Sequence, residues 1–75
     1  MNTANNPAAA EYTRKIVVGA GIAAAAWVRG GLDEMDAELK SLRRIDADPV
    51  VIAEAERCYH MQCLRSLPPQ DGPAA

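Results

Sequence analysis

At 75 residues and 8.0 kDa the chain has room for one domain, and a core of that size leaves a net stability of only about 3–5 kcal/mol. A net charge of -2 and a pI near 5.2, with the 8 Lys and Arg dispersed along the chain, argue against a basic face that gathers nucleic-acid phosphates. The opening MNTANNPAAAEY lacks the basic and apolar regions of a secretory signal, which sets the expectation of a cytoplasmic, reducing setting with Cys58 and Cys63 as free thiols.

Residues 1–10 combine Asn, Thr, Pro and Ala without an apolar period and are expected to form a flexible tail. The single domain then runs over 11–67. Its first segment, KIVVGAGIAAAAWVRGG (15–31), admits three readings. In one, Lys15 to Val18 resemble the strand, and Gly19, Gly21 and Ala24 the GxGxxA turn, of the flavin and nicotinamide enzymes with a Rossmann fold. That resemblance covers about a dozen residues. Where the family needs a second strand ending in an acid, this chain reads DEMDAELKSLRRI, a helical pattern, so no dinucleotide site is expected. A second reading is a membrane segment. The uncharged run is only the thirteen residues Ile16 to Val28, against about 20 for a span, so a membrane-associated helical protein with Trp27 at the interface stands as an alternative. The third reading is a soluble helix over about 11–29, closed by Gly30-Gly31. Gly19 and Gly21 each cost such a helix about 1 kcal/mol relative to Ala. Close packing would offset that cost, because Gly19 with Ala23, Ala20 with Ala24 and Gly21 with Ala25 make ridges of small residues. The β-branched run Ile16-Val17-Val18 leaves open an extended start for residues 15–21.

The next helix is expected at about 33–45. Leu32, Met35, Leu39 and Leu42 fall at spacings of three, four and three, a narrow apolar seam. Asp33, Glu34 and Asp36 near its start and Lys40, Arg43 and Arg44 near its end suit the helix dipole. The short IDADP connection implies an antiparallel hairpin with the last helix, about 49–66. There Asp48 is the N-cap and Pro49 the first helical residue, and Val51, Ile52, Ala55, Cys58, Tyr59, Met61, Cys63 and Leu64 form a broad stripe up to the Pro68-Pro69 stop. Residues 68–75, PPQDGPAA, are expected to be a second flexible tail.

The run CYHMQC holds three potential metal ligands, but Cys58 and His60 lie about 200° apart on a helix, and no second ligand pair exists. No nucleophile, base and orienting acid fall together. Neither metal, cofactor nor catalysis is expected.

These readings give an all-α bundle of two or three helices, two if Gly30-Gly31 is only a kink. A helix apolar on nearly every side is normally central, and this chain supplies few neighbours, so a homodimer is expected to complete the bundle. Ile16, Gly19, Ala20, Ala23, Trp27, Met35, Tyr59 and Met61 are the candidate interface residues, with Trp27, Tyr59 and Met61 as anchors because aromatic and Met side chains carry much of the contact energy. Asp33, Glu34, Asp36 and Glu38 are a candidate acidic surface for a basic partner. The function expected is that of a small protein-binding regulator or inhibitor, of a kind that bacteria and their phages use to block another protein. A membrane-associated protein and a small DNA-binding dimer are the alternatives.

Overall fold

The computed structural model describes residues 6–67, which form two helices and, among the described residues, no strand. Helix α1 spans Pro7–Arg44 and α2 spans Pro49–Arg65. Both begin the same way. Asn6 Oδ1 accepts the N–H groups of Ala8 and Ala9 at 3.1 Å, Asp48 Oδ1 accepts that of Val50 at 2.8 Å, and each cap is followed by a proline whose missing N–H costs nothing at that position. The expected start at residue 11 is thus corrected by one turn, because an alanine-rich turn behind an Asn-Pro cap needs no apolar face to be helical. The rest of the two expected tails, 1–5 and 68–75, lies outside the described residues. Residues 15–21 are helical throughout.

Helix α1 is bent at its glycine pair. Gly30 (φ -161, ψ 17) and Gly31 (φ 71, ψ -150) leave helical geometry, and Gly31 occupies a region essentially closed to residues with a Cβ. Two arms result, residues 7–29 and 32–44. The first runs alongside α2 in the same direction: Lys15 Nζ lies 2.8 Å from Asp48 Oδ2 at the start of α2, and Gly19 faces Val51, Glu54 and Ala55. The second runs the opposite way, with Arg43 Nη2 2.9 Å from Glu56 Oε2. The chain therefore reverses at Gly30-Gly31, and Arg29 spans the bend to Glu34 and Glu38, 3.3 Å from each. The second arm and α2 form the expected antiparallel hairpin. Its turn is closed by the N–H groups of Asp46 and Ala47 donating to the carbonyls of Arg43 and Leu42, with Asp46 at φ 57, a value that Asp tolerates better than most residues.

The core is thin. Ala23, Ala26, Met35, Leu39, Leu42 and Ala55 are buried together, with Ile22, Leu32, Ile52 and Tyr59 packed against them. The large side chains come from the second arm, at the seam of three- and four-residue spacings, and the first arm answers with alanines. At Gly19 the two helices touch: a Cβ built there would lie 2.6 Å from the Val51 carbonyl oxygen and 2.9 Å from Glu54 Cβ. One small-residue ridge of the first arm is therefore used within the monomer. This corrects the expectation that Gly19 and Ala23 meet a second copy, since both are buried against the chain's own helices. The side of the first arm turned away from them is left uncovered by the chain's own helices. Val17 is 63% exposed and Val28 81%.

Candidate functional site

The side of the first arm that faces away from the core carries Val17, Val18, Gly21, Ala24, Ala25 and Val28, all exposed. No charged residue lies between Lys15 and Arg29, so this side is a bare apolar surface about 17 Å long at 1.5 Å per residue. It continues into a furrow between the first arm and α2. Two depressions of about 270 and 290 Å³ lie along that furrow and share Arg57. One end is bordered by Tyr12, Ile16 and Ala53, the other by Ala20, Ala24, Trp27, Met61 and Arg65. Trp27 and Met61 stand at the same end, 40% and 43% exposed.

The polar groups of the furrow are ordered from below. Glu54, buried under Gly19, receives Arg57 Nη2 at 2.6 Å and Arg57 Nε at 3.1 Å. That guanidinium holds the Glu54 carboxyl below the usual glutamate range, against the opposing pull of burial. Cys58 Sγ sits 3.8 Å from the same carboxylate, and burial followed by that negative charge pushes the thiol up, which favours its protonated form. Arg57 uses Nε and Nη2 on Glu54, and Arg65 has no ion pair among the described residues. Every buried side-chain nitrogen and oxygen among them has a hydrogen-bond partner.

The residues singled out from sequence separate into three groups. Trp27, Met61, Ala20 and Ile16 line the furrow. Gly19, Ala23 and Met35 are buried, so none of the three is a surface contact, although Ala23 and Met35 reach the furrow's floor. Tyr59 packs against the core on the side of α2 that meets the second arm, where the neighbouring Cys63 first, then burial and the carboxylates of Asp36 and Asp33, push its hydroxyl up. The acidic candidates are largely neutralised within the chain: Glu34 and Glu38 hold Arg29, and Asp36 holds Lys40 at 3.1 Å. Only Asp33 of the four has no ion pair among the described residues. Around the CYHMQC run, His60 is exposed with its ring tilted against Tyr59 at 5.8 Å, while Cys58 is turned toward the core. Among the described residues no three His, Cys, Asp or Glu side chains come together.

Sequence reasoning did not single out Val17, Val28, Arg57 or Arg65 as site residues. The signal for Arg57 and Arg65 was the four-residue step that makes Ala53, Arg57, Met61 and Arg65 one ridge of α2, facing the ridge of Ile16, Ala20 and Ala24. By length and composition α1 also passes for a membrane-crossing helix, with an 18-residue window of mean hydropathy 1.3 of which 17% is buried. No family model, no curated protein and no solved structure matches the chain.

Proposed function

We propose that the chain is a small non-enzymatic interaction module, a regulator or inhibitor that acts by covering a surface of another protein. The observation that carries this reading is the uncharged side of the first arm, which stays open after the fold has buried its core. Monomeric proteins seldom leave so large an apolar surface uncovered without a partner for it. The titratable groups are engaged in structural pairs: Lys15 holds Asp48 at the start of α2, and Arg57 holds Glu54 at the floor of the furrow. A second copy of the chain is the competing occupant, in keeping with the expected homodimer, and would pair through Val17, Gly21, Ala24 and Val28 rather than through the buried Gly19 and Ala23.

A membrane surface is the second reading, favoured by the hydropathy of α1. Against it, Lys15 and Arg29, the cations that would anchor the arm at lipid headgroups, are held by Asp48 and by Glu34 and Glu38.

The test is photocrosslinking in the source cell from a photoreactive side chain placed at Ala24, on the bare face, or at exposed Ala37 on the second arm, together with light scattering of the purified chain over a concentration series. A discrete protein adduct from position 24 that is absent from position 37, with a monomer in solution, is the expected result. Adducts of homodimer mass alone, equal labelling from both positions, or no adduct would overturn the reading.

A further inference from the structure

We infer that the furrow between the first arm of α1 and α2 receives one amphipathic helix of a partner protein, with carboxylates along an edge of that helix's apolar stripe. The inference rests on the interaction reading above and names the partner's chemistry. Shape comes first. The first arm and α2 run in the same direction, and ridges of four-residue spacing, Ile16-Ala20-Ala24 and Ala53-Arg57-Met61, border the space between them. The two depressions meet at Arg57 and follow one another along the first arm from Tyr12 to Trp27, about 23 Å at 1.5 Å per residue, the length of a four-turn helix. The alanines keep the furrow's sides low, so a helix backbone can approach, and Trp27 with Met61 supplies anchors at one end.

Charge then selects among helices. The furrow's cations are Arg57 at its middle and Arg65 at its end. Its one acid, Glu54, is buried and already bound to Arg57, whose Nη1 has no partner among the described residues. With the charge of Arg57 offset by Glu54, Arg65 is the furrow's uncompensated cation among the described residues: a lysine-edged helix would meet like charge there, and a carboxylate-edged one would find a partner there and a further donor in Arg57 Nη1. A second copy of this chain fits poorly. Its only bare apolar helix face ends at Arg14 and Arg29, while its acid-rich arm has its apolar seam buried in the core. A lipid surface is flat, whereas this site is concave.

The test uses the full chain and two designed peptides of about 18 residues without Trp. Both carry the same leucine stripe and differ only in Glu or Lys along its edge. Binding is read from the emission of Trp27, the single tryptophan. The Glu-edged peptide is expected to shift that emission to the blue and saturate, with an affinity about tenfold above the Lys-edged one. Arg65→Glu should reverse or erase the preference while leaving far-UV circular dichroism unchanged, and Arg65→Gln serves if the first variant does not fold. Equal affinities, a preference for the Lys edge, a preference untouched by both Arg65 variants, or no saturable shift would overturn the inference. A shift with phosphatidylglycerol vesicles and with neither peptide would overturn it in favour of a lipid surface. If position 24 crosslinks to a partner but the peptides are not distinguished, the interaction reading stands and the acidic-helix partner falls.

Discussion

The two arms of α1 solve opposite problems. The second arm, 32–44, is rich in charge, and its large apolar residues fall on one seam, so Met35, Leu39 and Leu42 are buried and Leu32 packs against them. The first arm, 7–29, has no charge from Ile16 to Val28, yet only the side that carries Gly19, Ala23 and Ala26 is covered. Within the chain this apolarity is only half used, because a helix of small residues contributes little volume to a core. What it contributes instead is proximity. Burial per residue favours the second arm, closeness of backbones favours the first, and the open side of the first is a consequence of having only two neighbours.

Substitution separates these roles, and the largest effect belongs to the second arm. Leu39→Ala should remove about 2–5 kcal/mol, comparable with the whole stability expected of so small a domain, and leave the chain largely unfolded at 25 °C by circular dichroism. In the first arm the expected cost comes from adding atoms. Gly19→Ala places a methyl group 2.6 Å from a backbone carbonyl oxygen that cannot swing aside, and should destabilise by about 1–3 kcal/mol in urea melts. Gly21→Ala, two residues away, meets nothing within 4 Å and should stabilise by about 1 kcal/mol through helix propensity alone. Equal effects at 19 and 21 would show that the first arm does not touch α2 as described.

Acid should loosen the contact between the first arm and α2 before it affects the second arm's seam. Glu54 and Asp48 both have folded-state values held below the ordinary carboxylate range, by Arg57 and by Lys15. Their contribution to stability is therefore present above the unfolded-state value and is lost as pH falls through the folded one. Lys15 is raised by Asp48, so its own contribution is present at neutral pH and lost only in alkali. Stability measured by urea titration should decline as pH drops below the usual carboxylate pKa of about 4. Glu54→Gln should flatten that decline, and an undiminished slope in this variant would remove Glu54 as its source.

How much of this was legible beforehand differs between the arms for the same physical reasons. The hairpin of the second arm with α2 was readable to within about a residue, because Asp48-Pro49 marks a helix start and the spacing of Leu32, Met35, Leu39 and Leu42 admits one buried face. The first arm was readable as a helix but not in rotation. Gly19-Ala23, Ala20-Ala24 and Gly21-Ala25 are equivalent ridges in sequence, and which one packs depends on where α2 places Val51 and Glu54. The bend was legible as glycine and not as a reversal. Its sharpness comes from the positive φ of Gly31 and the ion pairs of Arg29, neither of which leaves a spacing signature. Arg57 and Arg65 carry no signal of their own in the sequence, and they gain one only where the furrow brings one ridge of each helix together. Trp27 stood out by its chemistry alone, and the fold leaves it 40% exposed at one end of the furrow.

The smallest expected effect on stability is the most informative about function. Val28 is 81% exposed and packs little, so Val28→Glu should change stability by less than about 0.5 kcal/mol, as should Ala37→Glu on the second arm. For folding the two substitutions are alike, each placing one charge on an exposed helix surface. For binding they part: a carboxylate at position 28 interrupts the uncharged face, and one at position 37 adds to a surface already polar. Crosslinking from Ala24 should therefore be lost in Val28→Glu and kept in Ala37→Glu. A loss of more than about 1 kcal/mol of stability at Val28 would mean that this side is already packed within the chain, and the contrast between the arms would disappear with it.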